Sequence, residues 1–254
     1  MSEVFKRAIL DRVEKNTLLG IREDVASRGM NAVHDHIQKQ FQLWNIAPEY
    51  AQERAGNALQ MRQKLNTEAG IIISNHPGYM DVPAILNCIT RDDIKIIVDE
   101  KGYVELRNII GEKYLLPAVH GPELRAVLNA VESHINSGGL FLIFPTGGGS
   151  DEFQSGFVSI LSRMSPDKMV YAFHVDPKAI SEIESLSHGR QIGIASATFV
   201  HPSTNINKLR RTKLFQVNEC YTQAKEWQNL SASGVKRRDK SALLTKHYRE
   251  LFAS

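Results

Sequence analysis

The sequence predicts an α/β fold in which a mixed, largely parallel central sheet is flanked by helices and preceded by an N-terminal helical segment. From Ala69 onward, short apolar runs alternate with segments of helical character, a pattern typical of a sheet covered by helices on both faces. The first run, Ile71-Ile72-Ile73, is short, β-branched and preceded by Gly70, as in a buried strand. Residues 2–65 are instead rich in helix formers.

The elements of the α/β part follow in order along the chain. Predicted strands lie near 70–74, 94–98, 115–119, 139–144, 168–176 and 191–199. Predicted helices lie near 82–90, 103–111, 122–137 and 154–164. Because ligand-binding loops of such sheets follow the strands, we expect the functional residues to gather at the strand ends.

These elements divide the chain into three predicted parts. They are an N-terminal helical segment at 1–65, an α/β core at 66–204 and a C-terminal helical extension packed on the core at 205–254. Apolar residues between Val4 and Val13 fall on one side of a helix in the first part. We favour packing of that helix on its neighbours over a role at a membrane surface or an acyl chain.

Composition narrows the class of protein. The 254 residues, 42% hydrophobic and 23% charged, are those of an ordinary globular protein. A formal net charge of +3 is too small to indicate nucleic acid, but it permits weak attraction to anionic lipid, coenzyme phosphates or an acidic carrier protein. Cys88 and Cys220 have no metal-ligand spacing, so we expect reduced thiols in a cytoplasmic protein.

The sequence predicts no membrane-spanning segment. No apolar run approaches the ~20 residues that cross a bilayer. Charged residues in the first turns, Glu3, Lys6, Arg7, Asp11 and Arg12, exclude the apolar core of a secretory signal. Peripheral contact with a membrane surface stays open.

A histidine and an aspartate flank the turn after the first predicted strand. His76 lies just beyond the strand, Pro77 and Gly78 force a turn, and Asp81 falls in or near the first turn of the next helix. An aspartate that accepts a hydrogen bond from one imidazole nitrogen fixes the tautomer and leaves the other nitrogen to take a proton from a substrate. The alternative is a strand-capping histidine beside a helix N-cap aspartate.

A second pattern begins about seventy residues later. The apolar run Leu140 to Phe144 leads into Pro145-Thr146-Gly147-Gly148-Gly149-Ser150, and a helix is predicted to follow. The glycines either permit positive φ in a tight turn or expose backbone N–H groups to a phosphate or an oxyanion. The presence of the His76–Asp81 motif earlier in the sequence favours the functional interpretation.

Together these two blocks resemble those of the glycerolipid acyltransferases, the family of glycerol-3-phosphate and lysophosphatidate acyltransferases. The order, separation and strand contexts match across roughly residues 65–180. The resemblance implies that His76 and Asp81 are catalytic and that no metal or bound cofactor is needed. It also implies a set of substrate-binding residues: Asn75, Lys101, His120, Pro145, Thr146, Gly147, Gly148, Gly149 and Ser150.

The sequence departs from the family pattern at its phosphate-binding positions. In the family pattern the histidine block comes first, a middle block follows, and the glycine-rich block is the third. Thr146 replaces the usual glutamate of the third block and Gly149 replaces its arginine. The arginine of the middle block has become His120 or Gly121. Guanidinium groups match phosphate bidentately, so their absence suits a non-phosphorylated acceptor. Candidate replacements elsewhere in the sequence are Arg107, Arg125, Arg163 and Lys168.

We therefore expect an acyltransferase that moves a fatty acyl group from acyl-coenzyme A or acyl carrier protein to a hydroxyl or amine of a lipid precursor or small molecule. His76 is the expected general base and Asp81 orients it. Backbone N–H groups, including those of Gly147 to Gly149, are candidates to stabilise the oxyanion. Two alternatives stay open: a thioester hydrolase, and a non-enzymatic protein that binds acyl chains or acyl carrier protein.

Overall fold

The computed structural model describes residues 20–51, 58–78, 80–107, 110–118, 123–147, 150–186, 212–231 and 234–253. Within these ranges seven strands form one sheet. The strands are β1 (Ile46–Tyr50), β2 (Gly70–Ser74), β3 (Ile94–Val98), β4 (Leu115–Pro117), β5 (Leu140–Ile143), β6 (Met169–Val175) and β7 (Lys213–Gln223). Their order across the sheet is β1-β7-β6-β2-β5-β3-β4.

Five neighbouring strands of the sheet are parallel. β6, β2, β5, β3 and β4 run in one direction, and β2 lies between β6 and β5. β7 is antiparallel to β6 and parallel to β1, so β7 and β1 run in the direction opposite to the other five strands. The carboxyl ends of the five parallel strands consequently share one edge, here called the carboxyl edge; their opposite ends form the amino edge.

Helices connect these strands. They are α1 (Met30–Trp44), α2 (Ala58–Thr67), α3 (Asp81–Leu86), α4 (Glu100–Leu106), α5 (Leu124–Asn136), α6 (Ser155–Leu161), α7 (Pro177–Leu186), α8 (Ala224–Leu230) and α9 (Arg237–Leu251). Residues 20–28 are also helical, and a 3₁₀ turn covers Glu112–Tyr114. None of the described helices is both long enough and apolar enough to cross a bilayer.

The sheet separates two hydrophobic cores, because successive side chains of a strand point to opposite faces. Ile72 of β2 packs in one core, with side chains from α1, α2, α3 and α7. Ile71 and Ile73 pack in the other, with α5, α6, α8 and α9. β2 is buried along its whole length, which explains its continuous apolar run.

The first residue of β2 has to be small. A Cβ atom on Gly70 would lie 2.2 Å from the carbonyl oxygen of Met169, the first residue of β6. Backbone contact this close excludes any side chain. Gly70 therefore allows β2 to enter the centre of the sheet beside β6.

The predicted fold class is confirmed, and the strands expected near 70–74, 94–98, 115–119, 139–144 and 168–176 are present with small changes of length. The strand expected at 191–199 and the amphipathic segment near Val4 lie outside the described residues. Two strands lie in segments that the sequence predicts as helical: β1 in the N-terminal segment and the eleven-residue β7 in the C-terminal extension.

Candidate active site

A histidine–aspartate pair lies at the carboxyl edge of the sheet. β2 ends at Ser74, which places His76 in the following loop, and α3 begins at Asp81. The His76 Nδ1 atom is 2.7 Å from Asp81 Oδ2. The His76 side chain is 40% exposed, whereas that of Asp81 is fully buried. One member of the pair therefore faces solvent and the other anchors it.

Asp81 is held by the backbone as well as by the imidazole. The N–H of Val82 donates to Asp81 Oδ1 at 2.5 Å, and the N–H of Gly78 donates to Oδ2 at 3.4 Å. Burial raises the pKa of Asp81, while the His76 hydrogen bond and these N–H groups oppose that shift. With Asp81 ionised, His76 Nδ1 donates the hydrogen bond and the lone pair resides on Nε2. This is the tautomer that a general base requires.

Phe144 joins the histidine loop to the third block. It follows β5, the neighbour of β2, and its ring stacks on the His76 imidazole with centroids 4.4 Å apart and an interplanar angle of 29°. This ring limits the directions in which the imidazole can turn. Phe144 was not among the predicted site residues, although its position at the strand end before Pro145 was the available signal.

The third block turns sharply after Phe144. The N–H of Gly147 donates to the Phe144 carbonyl at 3.1 Å, and the N–H of Gln154 donates to the Pro145 carbonyl at 2.7 Å. Gly147 has a φ of +55°, a region that favours glycine. Its N–H is therefore used within the turn. Gly148 and Gly149, the other predicted oxyanion-binding positions, lie outside the described residues.

Asn75 has a structural partner for each polar atom of its amide. Its Nδ2 donates to the Val175 carbonyl at 2.8 Å, and its Oδ1 accepts from the Val175 N–H at 2.8 Å. These bonds tie the end of β2 to the end of β6. Contact of Asn75 with substrate stays a prediction.

Thr146 and Ser150 contact residues that follow the glycine-rich block. Thr146 lies in the turn, and its carbonyl accepts a hydrogen bond from the Gln154 side chain at 3.4 Å. The Ser150 hydroxyl donates to the Glu152 carbonyl and accepts from the Glu152 N–H, both at 3.0 Å. Lys101 lies in α4, but its side chain is outside the described part, as is His120.

Two of the basic residues considered as phosphate ligands lie at the wrong end of the sheet. Lys168 immediately precedes β6, at the amino edge. Arg163 bonds to Asn129 at 2.7 Å and lies 3.6 Å from Glu132, both on α5. Its carbonyl also contacts Asn136, where α5 ends at the amino edge. Lys168 and Arg163 therefore do not lie at the carboxyl edge with the His76 loop.

The described residues line a small cavity of about 10 Å³, formed by Tyr50, Met61, Arg62, Leu65, Cys88, Phe173 and Glu219. That volume suits about one water molecule. Within the described ranges, no group of three or more His, Cys, Asp or Glu side chains is arranged to hold a metal ion.

Comparison with known proteins identifies the fold. No protein-family model matches the chain, and no curated protein matches its sequence. Among solved structures, it is similar to the crystal structure of the 1-acyl-sn-glycerophosphate (LPA) acyltransferase PlsC from Thermotoga maritima, with a TM-score of 0.51. The alignment covers 99% of this chain and 90% of that chain at 15% sequence identity. The chain shares the fold of that acyltransferase.

Proposed function

We propose that this protein transfers a fatty acyl group from a thioester, acyl-coenzyme A or acyl carrier protein, to a hydroxyl or amine of a lipid precursor or small molecule. The observation that carries the proposal is the 2.7 Å contact between His76 Nδ1 and buried Asp81, with the imidazole half-exposed at the carboxyl edge. The fold shared with the LPA acyltransferase supports it.

In the proposed reaction, His76 Nε2 takes the proton of the acceptor hydroxyl or amine as that group attacks the thioester carbonyl. Asp81 stabilises the imidazolium that forms. The tetrahedral intermediate collapses, the carbon–sulfur bond breaks, and the imidazolium returns its proton to the departing thiolate. No covalent enzyme intermediate is required, because a thiolate is a good leaving group.

We further propose an acceptor without a phosphate group. Thr146 and Gly149 stand at positions where the resemblance leads one to expect a glutamate and an arginine. The side chains of Arg163 and Lys168 lie away from the carboxyl edge. A phosphate is bound tightly where a guanidinium meets it bidentately, and this loop lacks that group.

The test follows free-thiol release from long-chain acyl-coenzyme A and from acyl carrier protein. Wild type and H76A are assayed side by side, each with lysophospholipids, glycerol phosphate, amino acids and sugars as acceptors. Products are identified by mass spectrometry. We expect H76A to lower the transfer rate by about 10²–10⁴-fold, the usual effect of losing a general base. Full transfer by H76A would falsify the assignment of the base.

Hydrolysis of the thioester is the second candidate, because the 40% exposure of His76 lets water reach the imidazole. Release of free fatty acid in the presence of every acceptor would identify a hydrolase. Acyl-chain binding without any thiol release would instead identify a binding protein. Acylated glycerol phosphate as the main product would overturn the acceptor proposal.

A further inference from the structure

Three polar side chains on one face of the last helix contact the backbone of both candidate site loops. Thr245, Tyr248 and Arg249 of α9 are spaced three and four residues apart, so they lie on the same side of the helix. Outside α9, one of their backbone partners lies just before His76, one lies on β6, and two follow the glycine-rich loop.

Tyr248 bridges the ends of two parallel strands beside the histidine. Its hydroxyl accepts a hydrogen bond from the N–H of Asn75 at 2.9 Å and donates to the carbonyl of Phe173 at 2.5 Å. Asn75 immediately precedes His76. The Tyr248 side chain therefore fixes the backbone from which the imidazole projects.

Thr245 and Arg249 hold the second loop. The Thr245 hydroxyl accepts from the N–H of Phe153 at 2.8 Å and donates to the Ser241 carbonyl at 2.7 Å. Arg249 Nη2 donates to the Asp151 carbonyl at 2.7 Å. Both contacts lie directly after the loop that contains Gly147 to Ser150.

The aromatic packing around Tyr248 keeps this arrangement rigid. Its ring centroid is 5.4 Å from that of Phe153 and 5.3 Å from that of Phe252. Burial also raises the pKa of Tyr248, so its hydroxyl stays protonated and able to donate to Phe173 at neutral pH. The Tyr248 side chain thus contacts both loops, by hydrogen bond at one and by ring packing at the other.

We propose that α9 is the positioning element of the candidate active site, with Tyr248 and Thr245 as its positioning residues. They set the spacing between the His76 loop and the loop after β5, where Phe144 stacks on His76. The catalytic consequence rests on the proposed function, whereas the mechanical coupling does not. Misplacement of a catalytic group by about 1 Å is enough to cost up to ~10²-fold in rate.

The decisive variants remove one hydroxyl each. Y248F retains the ring but leaves the Asn75 N–H and the Phe173 carbonyl without their partner, and T245V does the same to the Phe153 N–H. Y171F is the matched control, because the Tyr171 hydroxyl donates one hydrogen bond at 2.8 Å to the Lys64 carbonyl, at the end of α2. A buried hydrogen-bonded hydroxyl is lost in each tyrosine variant.

Two measurements on the full chain separate this inference from the proposed function. The first uses NMR to follow amide exchange at Asn75 and Phe153 and the imidazole nitrogens of His76. We expect Y248F to accelerate exchange at Asn75 about tenfold and to shift the His76 signals, and T245V to accelerate exchange at Phe153 similarly. Y171F should change none of these reporters.

The second measurement compares steady-state kinetics of thiol release. We expect Y248F to lower kcat about tenfold with little change of KM, and Y171F to leave both within about twofold. If wild type releases no thiol, the proposed function fails and NMR alone decides the coupling. The inference is overturned if amide exchange and the His76 signals in Y248F and T245V stay as unchanged as in Y171F. Should Y248F not fold, exchange at Phe153 in T245V decides it.

Discussion

Each edge of the parallel sheet contains a basic side chain bound to an aspartate, but the two pairs differ in which partner is buried. At the amino edge, Arg91 is only 12% exposed and binds Asp93 through two hydrogen bonds of 2.5 and 2.6 Å. It also donates to the carbonyls of Glu68 at 2.8 Å and Gly138 at 2.6 Å. The guanidinium thus joins three segments that begin or precede β2, β3 and β5.

At the carboxyl edge, the exposure is reversed. The aspartate, Asp81, is fully buried and the cation-forming partner, His76, is 40% exposed. A guanidinium only donates hydrogen bonds, whereas a neutral imidazole donates from one ring nitrogen and accepts at the other. The nearly buried guanidinium at the amino edge joins strands, whereas the buried carboxylate at the carboxyl edge holds an imidazole toward solvent.

Of the substitutions at the two edges, D81N should have the largest effect on activity. We expect the rate of acyl transfer to fall by about 10²-fold, because asparagine cannot stabilise the imidazolium. Stability at pH 7 should be unchanged or higher, since burial raises the pKa of Asp81 and the ionised form is therefore disfavoured by folding. Kinetics and urea unfolding of the same preparation provide the check; strong destabilisation with full activity would contradict it.

R91A should give the opposite result at the amino edge. Loss of the guanidinium leaves two carbonyls and Asp93 without their donor, and we expect the free energy of unfolding to fall by roughly 2–3 kcal/mol. The kcat of the folded protein should stay within about twofold of wild type. R91K keeps the charge without the planar fork, so its free energy of unfolding in urea should lie between those of wild type and R91A. A large loss of kcat would show that the edges are not independent.

F144L should have a smaller effect than D81N. Leucine keeps the loop apolar but removes the ring that stacks on His76 at 4.4 Å, so we expect kcat to fall about threefold to tenfold. F157L is the matched control, because Phe157 is equally aromatic but packs on Trp227 and Phe153 in the core. It should lower the melting temperature and leave kcat of the folded fraction unchanged; equal kinetic effects would remove Phe144 from the site.

The smallest predicted effect concerns His174 on β6, which packs against Phe252 with ring centroids 5.5 Å apart. Burial lowers the pKa of His174, and nearby Asp176 partly opposes this. The ordinary pKa of histidine is ~6.5, so near and below that pH His174 binds a proton more readily in the unfolded chain than in the folded protein. The free energy of unfolding therefore falls as the pH drops through that range. H174F should flatten the decrease in unfolding free energy between pH 7.5 and 5.5. His36 and His247, also lowered in pKa by burial, retain the remaining slope.

Local patterns predicted the part of the site that local geometry builds. Ile71 to Ile73 form a strand buried on both sides, and the turn at Pro77 brings Asp81 back to His76 within six residues. A pair this close in sequence needs no long-range contact to meet. For that reason the sequence predicts the contact between His76 and Asp81, whereas the catalytic roles of the two residues stay predictions.

Contacts between distant segments were beyond such reasoning. Nothing near Tyr248 signals that its hydroxyl binds the backbone before His76. β7 was missed because its inward-facing row, Phe215, Val217 and then Glu219, interrupts the apolar alternation with a buried carboxylate. β1 was missed because Pro48 lies within it, and proline argues against a strand. The described sheet tolerates this proline because β1 is one of its edge strands.

The pairing of β1 with β7 also shapes how the chain reaches its fold. Ile46 pairs with Lys213, so a strand made early in synthesis has to wait for one made near the end of the described sequence. Until β7 emerges, the edge of β6 that faces away from β2 is uncovered, and exposed strand edges recruit other chains. Closure of so long a loop is slow. On the ribosome, the nascent chain therefore keeps this edge of β6 open to other chains until β7 is made.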